Sequence, residues 1–231
     1  MQNSYKSKLF SILGDSVSTL EGYTEPYGAE FYDTPNKLKS NIYIPRDTWW
    51  GQVISYLGGE LLVNNSFSGS VVCKHPKCTI PSYGCSDERT SGLSKNGVSP
   101  DVIMVYMGTN DWGRGIRPTP RNKSEVNDLT IFSVAYEKML ENLKRNYPDA
   151  EIWCITLCVS DYEKRKQMEF PYSIGGYHME RYCQAICQGA KKYNCRVFDI
   201  YKDNLQYESI DDFHPSKKGM EAISNAIIKQ I

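Results

Sequence analysis

Five short apolar runs, interleaved with stretches of helical periodicity, constrain this chain more than any other feature. The runs are KLFSIL (8–13), ELLVNN (60–65), DVIMVYM (101–107), EIWCITL (151–157) and RVFDIY (196–201). Most are nearly continuous in apolar character rather than alternating, which is how strands read when both faces of a sheet are covered. Between and after them lie TWWGQVISYLG (48–58), a short SDERTSGLSK (86–95), TIFSVAYEKMLENLKRN (130–146), YHMERYCQAICQGAKKYN (177–194) and PSKKGMEAISNAIIKQI (215–231). In 130–146, Ile131, Val134, Ala135, Met139 and Leu143 trace one stripe, with Glu137, Lys138, Glu141 and Lys144 largely outside it. Strands alternating with helices predict an α/β chain with a parallel sheet, three layers in the order α/β/α, and right-handed crossovers. One domain over residues 1–231 accommodates all of it.

The connections carry more information than the elements. Turns from helix into strand are tight: Gly58-Gly59, Tyr147-Pro148-Asp149-Ala150 and Tyr193-Asn194-Cys195. Connections leaving the strands are long: 14–47, 66–85, 108–129 and 158–176. In a parallel sheet those long loops gather at the carboxyl ends, the edge where open α/β sheets place their ligands.

Four segments far apart in sequence bring chemistry to that edge. Strand one ends at Gly14-Asp15-Ser16, strand two in NNSFSGS with Gly69, strand three in GTND with Asn110, and the last is followed by SIDDFHPS with Asp211 and His214. A serine hydroxyl is a weak nucleophile until an imidazole takes its proton, and the imidazole needs a carboxylate to fix its tautomer and stabilise its charge. Asp and His at i, i+3 in a turn meet side chain to side chain. The tetrahedral intermediate of acyl transfer also needs donors aimed at its oxygen. The candidates are the backbone N–H groups of Ser16 and Gly69 and the side-chain amide of Asn110.

With these residues in place, the chain resembles the SGNH hydrolases, also called GDSL esterases and lipases. GDSVS (14–18) is similar to the family's first block, NSFSG (65–69) to its second, GTND (108–111) to its third and DDFHP (211–215) to its fifth. Each motif alone is weak; four in order, spanning residues 8 to 218, are strong. The resemblance implies a flavodoxin-like sheet of five parallel strands. It also implies Ser16 as nucleophile, His214 as base oriented by Asp211, and an oxyanion hole of Ser16, Gly69 and Asn110. The implied reaction is hydrolysis of a small-molecule carboxylic ester through an acyl-enzyme, with neither metal nor organic cofactor. Short acyl groups, O-acetyl groups on a sugar among them, are the substrates the family and the aromatic loops favour. The common hydrolase elbow G-x-S-x-G is absent, since Ser18 stands at its second glycine.

Other residues carry two readings each. Asp15 holds the turn through backbone hydrogen bonds, with substrate contact as its alternative; Trp112, directly after GTND, is a second candidate for substrate contact. Asp212 is the rival to Asp211, and Asp111 is expected to pin its loop. His178, near a helix start, and His75, in the cysteine loop, have no orienting acid and read as bystanders. Of Trp49 and Trp50, at least one is expected in the core. Arg114 and Arg117 read first as a solvated loop, second as contacts to an anionic or sugar substrate. Tyr23, Tyr27, Phe31, Tyr32 and Tyr43 crowd one loop, suiting either sugar or lipid packing or a small core of the loop's own.

The chain has eight cysteines. With no export signal visible they are expected reduced. Cys154 and Cys158, and Cys183 and Cys187, read as small apolar side chains. The stretch Cys73, His75, Cys78, Cys85 matches no standard zinc spacing, so no metal is expected there.

Lysine plus arginine and aspartate plus glutamate balance at 27 each, which removes the field that draws in nucleic acid or an anionic membrane. The amino terminus has too short an apolar run for a secretory signal or for a membrane span, which takes about 20 residues. A cytoplasmic protein without membrane insertion is the expectation, with a trimmed secreted form as the other reading. Two further functions compete with the hydrolase: a catalytically silent module binding an acylated sugar, and a receiver or nucleotide binder built on Asp15 and Asp111. The second leaves Asp211 and His214 unexplained and lacks the usual phosphate-cradling glycine loop.

Overall fold

A computed structural model describes residues 4–25, 30–74, 83–160 and 176–231. The strands among them are β1 (Leu9–Gly14), β2 (Glu60–Ser66), β3 (Val102–Tyr106), β4 (Glu151–Ile155), β5 (Val159–Ser160), β6 (Arg196–Phe198) and β7 (Gln206–Tyr207). Five of them pair in parallel in the order β2-β1-β3-β4-β6, while β5 and β7 form a separate parallel pair. All five predicted runs become the five strands of the main sheet. The physical cause shows in β3, where every residue is buried: a strand covered on both faces has no polar side to alternate.

The helices are α1 (Thr34–Ser40), α2 (Trp49–Leu57), α3 (Asp87–Ser91), α4 (Thr109–Gly113), α5 (Phe132–Asn146), α6 (Met179–Lys192) and α7 (Lys217–Ile228). α2 packs on α7, and α5 packs on both α3 and α6, giving the two outer layers of the three-layer fold. Among the described residues no helix is long and apolar enough to cross a membrane.

The elements differ from expectation where side chains intercept the backbone. The last predicted strand stops at Phe198 rather than continuing to residue 201. There the Asp199 carboxylate accepts from the Thr156 hydroxyl and the Lys202 N–H, turning the chain out of the ladder. The 86–95 stretch yields only the short α3, capped by Ser86 accepting from the Arg89 N–H. α1 lies inside a connection read as a loop; Asp33 caps it by accepting from the Asn36 N–H.

The sheet order places the site. β1 has β2 on one side and β3 on the other, so chain order reverses there and the loops leaving β1 and β3 diverge. That switch point opens a crevice at the carboxyl ends.

Candidate active site

Ser16 sits immediately beyond β1 in a single 3-10 turn, Ser16–Ser18, and is 6% exposed. Asp15 caps the turn, its Oδ1 accepting from the Val17 N–H at 3.1 Å. The turn is pinned from outside as well: the Trp50 Nε1–H and the Asn64 amide both donate to the Ser18 carbonyl, and the Trp49 Nε1–H donates to the Ser18 hydroxyl. Both tryptophans are therefore buried, because their indole N–H groups find partners inside. Gly14 is required by close approach: a Cβ there would lie 2.6 Å from Ser18 Cβ.

His214 arrives from the segment after β7. Its Nε2 lies 2.9 Å from Ser16 Oγ, and its Nδ1 lies 2.8 Å from Asp211 Oδ2. A carboxylate only accepts, so neutral His214 carries its proton on Nδ1 and offers Nε2 to the serine hydroxyl. The turn is built for this: Asp211 Oδ1 also accepts from the His214 N–H at 2.8 Å, and the Ile210 N–H donates to the His214 carbonyl at 2.9 Å. Asp212, the rival acid, takes the left-handed corner at φ 71° and is buried. Burial pushes the Asp211 carboxyl upward, but the His214 ring and the backbone N–H groups of His214 and Phe213 outweigh it and hold it below its ordinary value.

Phe31 adds a contact that no sequence pattern indicates. Its ring stacks on the His214 imidazole with centroids 3.3 Å apart and planes 9° apart. Its N–H donates to Thr19 Oγ1, and that hydroxyl donates in turn to the Ser16 carbonyl. The aromatic loop thus covers the imidazole and ties back to the Ser16 turn. Tyr32 is buried and donates to the Pro215 carbonyl, while Tyr23 and Tyr43 are exposed; Tyr27 lies outside the described residues.

Two loops face this pair. Phe67–Ser70 is a turn closed by the Ser70 N–H donating to the Phe67 carbonyl, with Gly69 at its third position at φ 76°. That conformation suits glycine. Asn110, in α4, donates one amide N–H to the Ser70 carbonyl at 3.0 Å. Among the described residues the backbone N–H groups of Ser16 and Gly69 donate to no other group. A cavity of about 170 Å³ lies beside the Ser16–His214 pair, with Ser16, Thr109, Asn110, Arg114, Phe213 and His214 in its wall.

The two candidates for substrate contact are corrected. Trp112 is fully buried: α4 turns at the site, so residues two apart point about 200° away from each other. Asn110 faces the cavity and Trp112 the core. Asp15 is 1% exposed, and its Oδ2, buried as well, has no hydrogen-bond partner among the described residues. Asp111 is buried too and accepts from the Val72 and Cys73 N–H groups. Two carboxylates facing inward to brace loops argue against the receiver or nucleotide-binder reading.

Arg117 pairs with Glu125 at 2.9 Å, whereas Arg114 is exposed and donates to the Gly69 carbonyl. His178 caps α6. The seven described cysteines are free thiols, and no group of metal-holding side chains occurs among the described residues. His75 and Cys78 lie outside them.

Burial raises the Asp15 carboxyl to about 7 against the pull of the Val17 N–H, with Asp111 adding to the rise. The folded protein therefore holds this proton more tightly than the unfolded chain. The associated stability is complete below the ordinary carboxylate range and lost as pH rises toward about 7. Asp15→Asn removes that titration. Its unfolding midpoint relative to wild type should rise between about pH 4 and about pH 7; a pH-independent difference in thermal scans would contradict this.

The family model described as GDSL-like Lipase/Acylhydrolase matches residues 8–231. Among solved structures, a Bacteroides ovatus protein described as a GDSL-like lipase superposes with a TM-score of 0.72 at 26% identity, over 97% of this chain and 98% of that one. A carbohydrate esterase family 2 enzyme with a carbohydrate-binding domain, from Myceliophthora fergusii, superposes with a TM-score of 0.59 at 17% identity, over 98% of this chain and 66% of that one. That likeness bears on the fold. The cellulase/esterase CelE of Acetivibrio thermocellus is 34% identical over 55 residues, which is 24% of this chain and 6% of that protein.

Proposed function

The chain belongs to the GDSL-like lipase/acylhydrolase family and is a serine hydrolase of ester bonds, and from that premise we propose that it cleaves short-chain carboxylic esters through an acyl-enzyme on Ser16. The observation that carries this reading is the 2.9 Å approach of His214 Nε2 to Ser16 Oγ, with Asp211 bonded to the far side of the same ring. Ser16 Oγ attacks the ester carbonyl carbon as its proton passes to Nε2, and Asp211 stabilises the imidazolium that results. The carbonyl oxygen becomes an oxyanion within reach of the Ser16 and Gly69 N–H groups and the Asn110 amide. Collapse breaks the bond to the alcohol, which leaves with the proton from Nε2. Water, deprotonated by His214, then attacks the acyl-serine and releases the acid, and the proton returns to Ser16.

Acetyl groups on carbohydrate are the substrates we favour. A cavity of about 170 Å³ suits a small acyl group, and the exposed Arg114 in its wall offers hydrogen bonds to hydroxyl-bearing alcohols. CelE, a cellulase as well as an esterase by name, supports the same direction over the stretch it matches.

A chain-length series of p-nitrophenyl esters, with acetylated xylan alongside, tests this. Activity should be highest at two to four carbons and fall by roughly tenfold or more for each methylene the pocket cannot hold. A rate rising toward long chains, with acetylated xylan untouched, would contradict the short-acyl reading.

A further inference from the structure

One buried cation lies outside this chemistry. Arg89, in α3, is 3% exposed. Its Nη2 donates to the Gly14 carbonyl at 3.0 Å and the Asn65 carbonyl at 2.9 Å, and its Nη1 donates to the Ser70 hydroxyl at 2.9 Å. Those acceptors end β1 two residues before Ser16, stand next to last in β2, and directly follow Gly69. Ser70 is gripped from its other side by Asn110 through its carbonyl. Burying a guanidinium is costly and gives little net stability compared with an apolar side chain. What it does supply is a rigid planar fork whose donors hold three backbone segments in one arrangement.

We infer that Arg89 is a positioning residue that sets the spacing between the Ser16 nucleophile and the oxyanion-donating Gly69 turn. The inference rests on the roles proposed above for Ser16 and Gly69. Oxyanion donors act only within hydrogen-bond reach of the oxygen as it forms, and an error of about 1 Å can cost on the order of a hundredfold in rate. Arg89 touches no substrate, so its loss should slow the chemical step and leave substrate binding alone. Burial lowers the Arg89 guanidinium to about 10, so it stays charged at neutral pH.

The test is steady-state hydrolysis of p-nitrophenyl acetate by the wild type, Arg89→Lys, Arg89→Met and Ser70→Ala. Lysine keeps the charge but loses the fork; Ser70→Ala removes only the link to the turn. Either Arg89 variant should lower kcat by about a hundredfold with KM within about threefold, and Ser70→Ala should lower it about tenfold with an unfolding midpoint near wild type. The double variant Arg89→Lys/Ser70→Ala should be no slower than Arg89→Lys alone, since both cut one connection. Phenylboronic acid, which forms a tetrahedral serine adduct, should bind more weakly in step with kcat. Wild-type kcat in Ser70→Ala, or a loss appearing in KM instead, overturns the inference, and Ser70→Ala decides alone should the Arg89 variants fail to fold. A wild type inactive on every ester would instead overturn the function proposed for the site.

Discussion

Replacing Ser16 with alanine is expected to lower kcat on p-nitrophenyl acetate by roughly 10⁴- to 10⁶-fold while the protein stays folded. The expectation follows from what the hydroxyl does and does not hold. Ser16 Oγ is bonded to His214 Nε2, whereas the turn around it is fixed by Asp15, the two tryptophan indoles and Asn64 acting on its neighbours. Alanine fits the same backbone, so the oxyanion donors and the cavity remain. KM should therefore change little, and the unfolding midpoint should stay within a few degrees of wild type. Residual activity within tenfold of wild type in a folded Ser16→Ala protein would remove the nucleophile from this account.

His214→Ala should cost a comparable 10⁴- to 10⁶-fold, because without a base the serine proton has nowhere to go in the transition state. Pairing it with Ser16→Ala should add almost nothing, since residues acting as one unit are not additive. The Asp211 carboxylate still receives the backbone N–H groups of residues 213 and 214 in this variant, so the turn survives. Phe31 loses its stacking partner, and the space left beside it is a route for rescue. Added imidazole should restore part of the rate in His214→Ala and none in Ser16→Ala. Equal rescue of both variants would mean that imidazole acts on the ester directly.

Much of this arrangement is legible in the amino-acid sequence. The apolar runs lie in a sheet covered on both sides, so burial itself writes their pattern, and strand ends then follow from where apolar character stops. Asp211 and His214 were readable because a three-residue separation in a turn leaves few geometries. Arg89 was not readable: in SDERTSGLSK a cation beside two acids looks solvated, and its burial depends on carbonyls 75 and 24 residues away. Phe31 sits in a loop without periodicity, so only tertiary structure shows that it faces His214. Trp112 departs from expectation because proximity to GTND says nothing about which side of a helical turn meets the cavity. The β5–β7 pair, two residues a side, is too short to leave a pattern.

The most direct measurement is labelling with a fluorophosphonate, which phosphonylates a serine only where a base and an oxyanion hole meet it. Intact mass should show one adduct per chain, peptide mapping should place it on Ser16, and Ser16→Ala should show none. No adduct in an otherwise folded wild type, or an adduct on another residue with Ser16 untouched, would contradict the account.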